Sequence, residues 1–365
     1  LTPVGGISLE PGGQFELSGA PHENMHQVAA ELSSHLEDCR AVGGPLNIHF
    51  LSLGTTPVWS VADMPRMPKS RYGIMTPYMD KVGTLGTSMM YRSATVQANL
   101  DFSDEADMVK KLRVSVALQP IVTALFANSP FLDGKPSGYL SFRSLIWLNT
   151  DRARTGMLPF AFEQGFGFER YADHALDVPM YFVIRNKEYV NVAGESFRAF
   201  LEGKLPQLPG EKPTKKDWED HLSTLFPEVR LKQFLEMRGA DMGDEAHVNA
   251  LPALWVGLLY DDQALDAAWE HVKQWSVEEM AALRNAVPRT ALKTEFRKCP
   301  LSDVAASMVA NAREGLKRRG LGEEVFLAPL EETLELGKTQ AERWLDRYHN
   351  EWSGDIGRVF DEAEM

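Results

Sequence analysis

The sequence predicts an α+β protein in which helices flank an antiparallel sheet and the C-terminal part is helical. Two observations support this class. Segments with the period-two alternation of strands lie mostly before residue 240, whereas helical periodicity dominates from about residue 260 to the end. The two kinds of segment do not alternate one for one, as they would around a parallel sheet. Antiparallel pairing is therefore favoured.

Residues 91–102 give the clearest strand pattern, because apolar and polar residues alternate without interruption. One face carries neutral hydrogen-bonding side chains, including Thr95, Gln97 and Asn99, and it has no lysine or glutamate. Successive side chains of a strand point to opposite faces, so these residues share one surface. Such a face suits either ordinary contact with solvent or the floor of a polar cavity.

Two further strands carry charged residues. Residues 7–19 contain a Pro-Gly-Gly interruption that permits a bulge or a sharp bend, and residues 234–241 alternate without one. Glu10 and Glu16 lie on the first of these strands, and Glu236 and Arg238 share one face of the second. The remaining strand candidates are residues 46–53, 139–148 and 178–185.

Helices are predicted from capping signals next to apolar faces. Ser276 with Glu279 and Thr339 with Glu342 have the spacing of capping boxes. Further helices are expected after Pro21, at Ser103 and at Ser302, and the last of these should end near Gly320.

The composition is that of a soluble globular protein. The 365 residues include 51 acidic and 38 basic side chains, which gives a net charge of −13. An acidic surface repels phosphate groups, so binding to nucleic acid or to an anionic membrane is not expected. No apolar run reaches the ~18 to 20 residues of a membrane span. We interpret residues 1–365 as a single domain.

The two cysteines, Cys39 and Cys299, are too few and too far apart for a disulfide framework or a metal site. They predict reduced thiols in a cytoplasmic protein. A zinc signature, H-E-x-x-H, is matched by His22-Glu23-Asn24-Met25-His26. It falls at a helix start directly after Pro21, and Glu31 is only a nominal third ligand, so we expect no zinc. A zinc hydrolase remains an alternative that bound zinc would support.

No phosphate-binding loop is present, so any nucleotide must be held in another way. If the strands that bear Glu10, Glu16 and Glu236 were neighbours, their carboxylates would suit Mg²⁺, but spacing alone does not show this adjacency. Arg143 lies among apolar and aromatic residues, and Arg71 lies in a Pro- and Met-rich loop at residues 64–73. Each either extends along apolar surface to reach water or binds a buried anion.

Long segments of the chain resemble one enzyme family. They occur in the family's order and are EPGGQFELSGAP (10–21), TVQANLDFSDEADMVKKLR (95–113), ALQPIVTALFANSPF (117–131), RTGMLPF (154–160), ALDVPMYF (175–182), FPEVRLKQFLEMRGAD (226–241) and LPALWVGLLYDD (251–262). They closely resemble glutamate–cysteine ligases of the plant and proteobacterial type. The resemblance runs through essentially the whole chain.

This resemblance implies a glutamine-synthetase-like fold, in which an antiparallel sheet curls into a funnel for ATP and two or more Mg²⁺ ions. It also implies the first step of glutathione biosynthesis, in which the γ-carboxylate of L-glutamate is activated as an acyl phosphate and joined to L-cysteine. A ligase of the same fold with another amine acceptor is the nearest alternative. A catalytically silent amino-acid-binding protein is a second one. Feedback inhibition by glutathione and a monomer or weak dimer are further expectations.

The resemblance also implies roles for individual residues. Glu10, Glu16 and Glu236 look like Mg²⁺ ligands, and Arg143 looks like the clamp for the glutamate α-carboxylate. Arg238 is expected to meet phosphate. The remaining substrate contacts are expected from Arg71 and Tyr181 toward cysteine, and from Gln97 and Asn99 on the polar strand.

Two departures from the family stand out. A first strand with a Gly-Thr-Glu-His-Glu motif is absent from these 365 residues, so we expect the catalytic domain to lack its N-terminal strand here. The regulatory cysteines of the plant enzymes are replaced at the matching positions, which are Ala29, Asn249, Val192 and Gln207. The resemblance therefore predicts no thiol switch.

Overall fold

The computed structural model of the protein describes residues 5–365, and helices make up most of their regular structure. The α-helices are α1 (Met25–Leu46), α2 (Ser70–Val82), α3 (Gly86–Arg92), α4 (Glu105–Leu125), α5 (Phe142–Leu148), α6 (Phe168–Asp177), α7 (Phe197–Leu201), α8 (Lys215–Leu222), α9 (Glu245–Leu259), α10 (Asp262–Val272), α11 (Val277–Thr290), α12 (Leu301–Arg319), α13 (Ala328–Leu336), α14 (Gln340–Asn350) and α15 (Arg358–Glu362). Short 3₁₀ helices span Pro159–Phe162, Ala291–Lys293 and Glu323–Leu327.

The strands are short and pair mainly in antiparallel fashion, which confirms the α+β class. They are β1 (Gly6–Leu9), β2 (Phe15–Ser18), β3 (Thr95–Leu100), β4 (Phe131–Leu132), β5 (Lys135–Pro136), β6 (Thr155–Gly156), β7 (Phe182–Arg185), β8 (Glu188–Asn191), β9 (Phe226–Pro227), β10 (Val229–Leu231), β11 (Leu235–Asp241), β12 (Glu295–Phe296) and β13 (Cys299–Pro300). The largest sheet in residues 5–365 has three strands in the order β10-β11-β3, and the other sheets are pairs.

The three-stranded sheet separates the main core from a polar surface. Helix α4 packs on β10 and β11, and α9 packs on β3, so these helices cover one face. Leu235 and Met237 of β11 point into this core. Because side chains alternate along a strand, Glu236 points to the opposite face. Burial of the apolar face stabilises the sheet, and the charged residues are directed to the other side.

The β1–β2 hairpin depends on its glycines. A Cβ atom at Gly12 would lie 2.3 Å from the carbonyl oxygen of Tyr91, and Gly13 has a φ of 82°. Only glycine allows this approach and this conformation without strain. Gln14 then donates from Nε2 to the carbonyl oxygens of Met90 and Ser93, both at 3.1 Å. The hairpin is thereby attached to the start of the polar strand.

Most predicted helix boundaries are confirmed. The capping boxes begin α11 at Ser276 and α14 at Thr339. Helix α12 ends at Gly320, whose left-handed conformation caps it. Small shifts occur where a neighbouring residue is the better cap, since Asp104 rather than Ser103 accepts the capping hydrogen bond of α4.

The prediction of a strand over residues 139–148 is wrong, because these residues include helix α5. Ser141 accepts a hydrogen bond from the amide of Ser144 and caps the helix. An apolar run of this length fits a buried helix as well as a strand, so periodicity did not decide between them. Arg143 therefore projects from a helix, in the first turn after the cap.

Three other strand predictions were too long or wrong. The strand predicted at 91–102 is β3 only, because Tyr91 and Arg92 complete α3. The strand predicted at 178–185 is only β7. Residues 46–53 form no strand, since α1 extends to Leu46 and a single bridge at Leu51 is the only pairing there.

Candidate active site

A buried carboxylate surrounded by cations lies on the polar face of the central sheet. Glu236 of β11 accepts hydrogen bonds from Arg230 Nε at 2.7 Å, Lys232 Nζ at 3.0 Å and Arg238 Nη1 at 2.5 Å. Burial alone would raise the pKa of Glu236, but the charges of Arg238, Arg230 and Lys232 lower it to about 2. Burial also lowers the pKa of Arg230 to about 10. The cluster carries more positive than negative charge and can attract anions.

Arg238 lies at an irregularity in the strand pairing. The register between β11 and β3 shifts between Met237 and Ala240, which is typical of a β-bulge. Bulges often redirect a side chain beside an active site. Here Arg238 Nη1 approaches Gln97 Oε1 at 3.4 Å, and Asn99 lies opposite Glu236 in the register. Gln97 and Asn99 therefore lie beside the charged cluster.

Arg143 reaches the same place from helix α5. Its Nη2 donates to the carbonyl oxygen of Arg238 at 2.9 Å, and its Nη1 lies 3.9 Å from Asp241 Oδ1. The side chain is only 3 % exposed, and its Nε is buried without a hydrogen-bond partner. Burial lowers the pKa of Arg143 to about 10, although Asp241 opposes this shift. The Nε of this buried guanidinium therefore makes no hydrogen bond within the protein.

The sequence did not single out Trp147, which links the two arginines. Its ring lies 5.9 Å from the guanidinium carbon of Arg143 and 5.9 Å from that of Arg238. Phe226 packs edge-on against the indole, with ring centroids 6.3 Å apart. The indole Nε1 is buried without a partner. The only sequence signal for Trp147 was its position four residues after Arg143, which places the two side chains on the same face of a helix.

Glu10 and Glu16 approach this cluster from the β1–β2 hairpin. Part of the Glu16 side chain meets solvent, yet desolvation and then the negative charge of Glu10 raise the pKa of Glu16. Glu236 raises it further, whereas Arg238 lowers it. Glu16 is therefore close enough to Glu10 and to Glu236 to be repelled by each of them, which a bound cation would relieve.

The chemistry of these donors fits Mg²⁺, which prefers carboxylate oxygens. Across residues 5–365, no group of three or more His, Cys, Asp or Glu side chains is gathered closely enough to hold a metal ion. Glu236 is instead occupied by its three cations. A metal site at Glu10, Glu16 and Glu236 would require these carboxylates to move toward one another.

Arg71 and Tyr181 belong to a neighbouring cluster of aromatic and methionine side chains. Arg71 donates from Nη2 to the hydroxyl of Tyr72 at 3.2 Å, and its Nε is buried without a partner. Tyr181 is 1 % exposed, and its hydroxyl faces Met79 Sδ at 3.5 Å. Tyr72, Met79 and Tyr181 are members of one buried cluster.

Arg154, which the sequence analysis did not single out either, packs against the ring of Tyr181. Its guanidinium carbon lies 3.8 Å from the centroid of the Tyr181 ring. The guanidinium is bound by Asp151 Oδ2 at 2.6 Å and donates to the carbonyl oxygens of Pro179 and Thr224. All its groups are committed, so Arg154 holds the tyrosine in place and is not free to bind a ligand.

The two histidines of the zinc-like motif point to different partners. Helix α1 begins at Met25, so His22 precedes it and the helical spacing of the zinc motif does not apply. His22 Nε2 lies 3.0 Å from Glu31 Oε2, and His26 Nε2 lies 2.9 Å from the carbonyl oxygen of Leu321. These contacts attach the start of α1 to other parts of the fold.

The helices of residues 5–365 include none that is both long enough and apolar enough to span a membrane.

Comparison with known proteins identifies a family for the whole chain. The family model described as glutamate-cysteine ligase family 2 matches residues 1–362. A chloroplastic glutamate–cysteine ligase of Medicago truncatula is 56 % identical over 356 residues, which cover 98 % of this chain and 70 % of the relative. The chloroplastic glutamate–cysteine ligase B of Oryza sativa subsp. japonica is 56 % identical, with coverage of 98 % and 72 %. The Arabidopsis thaliana enzyme is also 56 % identical, with 98 % and 68 %.

The prediction of a cytoplasmic protein is wrong, because these relatives are all named chloroplastic. Two free thiols exclude a disulfide framework, but they do not specify a compartment. The match over residues 1–362, together with these identities, shows that the chain belongs to glutamate–cysteine ligase family 2.

Proposed function

We propose that the protein joins the γ-carboxylate of L-glutamate to the amino group of L-cysteine, with ATP converted to ADP and phosphate. The product would be γ-glutamylcysteine, the first intermediate of glutathione biosynthesis. Family membership and the names of the relatives support this activity. The single observation that carries it is a buried arginine with uncommitted donors, Arg143, next to the cation cluster around Glu236.

Arg143 would bind the α-carboxylate of glutamate. A guanidinium presents planar donors that match a carboxylate, and burial strengthens such a contact. The unpartnered indole Nε1 of Trp147 offers one more donor beside it. With the α-carboxylate held here, the γ-carboxylate of the same substrate can extend toward Arg238 and Glu236.

The cations around Glu236 would receive the phosphate. In the first step, a γ-carboxylate oxygen attacks the terminal phosphorus of ATP and ADP leaves. Several negative charges meet at this point, and positively charged donors stabilise the transition state. Of the three cations around Glu236, Arg238 is the one bonded to Arg143, because its carbonyl oxygen accepts a hydrogen bond from Arg143 Nη2. Arg230 and Lys232 add charge on the other side of Glu236.

Glu10, Glu16 and Glu236 would hold two or more Mg²⁺ ions. Bound Mg²⁺ would supply neutralisation of phosphate charge. The repulsion of Glu16 by Glu10 and by Glu236 supports this assignment. Arg238, which is paired with Glu236 in this structure, would contact phosphate oxygens.

Cysteine would bind next to Arg71 and Tyr181. In the second step, its amino group attacks the acyl phosphate carbon, phosphate leaves, and the nitrogen loses a proton. Arg71 has a free buried Nε for the cysteine carboxylate, and Tyr181 offers an apolar ring beside it. Gln97 and Asn99 would complete the polar floor under the substrates.

The sheet β10-β11-β3 and the hairpin β1–β2 would form walls of a glutamine-synthetase-like funnel around these groups. Feedback inhibition by glutathione fits the same site, because glutathione contains a γ-glutamylcysteine unit. A monomer or a weak dimer is part of the same proposal.

The test is ADP release by the purified protein with Mg²⁺, ATP and glutamate, measured with cysteine and with a panel of other amines. The proposal expects release that depends on cysteine and on glutamate together. Release that is indifferent to cysteine but depends on another amine would favour a ligase with another acceptor. No Mg²⁺-dependent turnover of ATP with any amine would favour a silent amino-acid-binding protein.

A further inference from the structure

A buried carboxylate that belongs to none of the groups above lies directly behind Arg143. Asp241 is the last residue of β11 and is 1 % exposed. Its Oδ2 accepts from the Ser129 hydroxyl at 2.6 Å and from the Asn128 amide at 2.9 Å. Its Oδ1 accepts from the Ser141 hydroxyl at 2.8 Å. The carboxylate is thus fixed by three hydrogen bonds from two other segments.

Each of the two serines also accepts a hydrogen bond from a backbone amide in the first turn of α5. The Ser129 hydroxyl accepts from the backbone amide of Arg143 at 3.0 Å. The Ser141 hydroxyl accepts from the amide of Ser144 at 3.1 Å. The helix that carries Arg143 is therefore connected to Asp241 at two points. Together with the hydrogen bond from Arg143 Nη2 to the carbonyl oxygen of Arg238, these contacts orient the Arg143 side chain.

Asp241 also balances the charge of Arg143 without occupying its donors. The distance from Asp241 Oδ1 to Arg143 Nη1 is 3.9 Å, which is an ion-pair distance but too long for a hydrogen bond. Glu228 contributes a second negative charge near Arg143, and it is itself bound by Arg284. A buried guanidinium without a counter-charge would be strongly destabilised.

The space around Asp241 is closed, so its geometry is fixed. A Cβ atom at Gly54 would lie 2.7 Å from Asp241 Cβ. A side chain larger than that of Asp241 would not fit at position 241 unless the backbone around Gly54 moved. The hydroxyls of Ser129 and Ser141 hold the carboxylate of Asp241, and the backbone at Gly54 packs against its Cβ atom.

We propose that Asp241 is a positioning residue for glutamate recognition, which orients Arg143 through Ser129 and Ser141 and compensates its charge while leaving its donors free. This inference rests on the proposed function, in which Arg143 binds the glutamate α-carboxylate. Asp241 does not touch the substrate and acts only through Arg143.

The test is Asp241→Asn, which keeps the shape and removes the charge. Because the contact at stake is one charge-assisted carboxylate pair, we expect the KM for glutamate to rise about 10- to 100-fold. The KM values for cysteine and ATP should change less than about twofold, since their contacts lie elsewhere. Glutamate binding measured directly by calorimetry, without ATP, should weaken by the same factor.

Two further variants separate positioning from a general loss of stability. Ser129→Ala keeps the charge and removes one anchor of α5, so it should raise the KM for glutamate in the same direction by about two- to fivefold. Glu323→Gln is the control, because Glu323 is a fully buried carboxylate that binds Arg319 and the amide of Met25. It should lower the melting temperature and leave the KM for glutamate unchanged.

The inference is overturned if folded Asp241→Asn has the glutamate KM of the unsubstituted protein. It is also overturned if Glu323→Gln raises that KM equally. Should Asp241→Asn fail to fold, Ser129→Ala decides, and an unchanged glutamate KM in that variant contradicts the inference. Failure of the proposed function is distinguishable, since the unsubstituted protein would then show no ATP turnover that depends on glutamate and cysteine.

Discussion

Replacement of Glu236 by glutamine should lower the stability of the protein by an amount that depends on pH. Glu236 has a folded-state pKa of about 2 against an ordinary value of 4.5. Each pKa unit corresponds to about 1.4 kcal/mol, so the ionised carboxylate contributes about 3 kcal/mol near neutral pH. The residue is 3 % exposed, so solvent screens this interaction little.

The sign follows from the direction of the shift. A lowered pKa means that the folded protein prefers the ionised form, so the stabilisation is fully present above pH 4.5. It is lost progressively as the pH falls from 4.5 toward about 2. The difference between the unsubstituted protein and Glu236→Gln should therefore shrink over this range.

The assay is thermal and urea unfolding of both proteins between pH 7 and pH 3. With an unfolding entropy of about 2.1 cal/mol/K per residue, 3 kcal/mol corresponds to a fall in melting temperature of about 4 °C. Glu295→Gln is the matched control, because Glu295 is an exposed glutamate on β12 and its loss should change nothing. Equal stability of Glu236→Gln and the unsubstituted protein at pH 7 would refute the reasoning. A difference that stays constant down to pH 3 would do so as well.

Three other predictions concern catalysis. Glu16→Gln should lower turnover by about two orders of magnitude or more and hardly change the melting temperature, because in the proposed function the charge would hold Mg²⁺ and is not needed for folding. An unchanged kcat would contradict this. Arg143→Lys should raise the KM for glutamate by about tenfold or more, since lysine lacks the planar arrangement of donors. Arg143→Ala should in addition destabilise the fold by about 3 kcal/mol, because Asp241 loses its counter-charge. Steady-state kinetics measure the first effect and unfolding measures the second. Activity should change by less than about twofold between oxidant and reductant. Burial raises the pKa of the Cys39 thiol, which keeps it in the unreactive protonated form. A large reversible change that is lost when Cys39 and Cys299 are both replaced by serine would show a thiol switch.

Local signals in the sequence were sufficient for several parts of the fold. Capping boxes at Ser276 and Thr339 lie where the helices begin, because the cap and its partner are three residues apart. The alternation at 234–241 fixed β11 and the shared face of Glu236 and Arg238. In each case the deciding interaction is short in sequence.

The environment of Arg143 could not be predicted in the same way. Its helix was mistaken for a strand, and the carboxylate behind it comes from a residue 98 positions away in sequence, at Asp241. The contact between Arg143 and Asp241 depends on how distant segments pack, and no spacing in the sequence encodes it. Arg230, by contrast, is close to Glu236 in sequence and lies opposite it on the neighbouring strand.

The central claim is tested most directly by the fate of the oxygen atoms of glutamate. Glutamate labelled with ¹⁸O in its γ-carboxylate is incubated with the protein, Mg²⁺, ATP and cysteine, and the products are analysed by mass spectrometry. Activation as an acyl phosphate predicts one labelled oxygen in each phosphate released, with one γ-glutamylcysteine formed per ADP. Unlabelled phosphate, or ADP formed without γ-glutamylcysteine, would contradict the account.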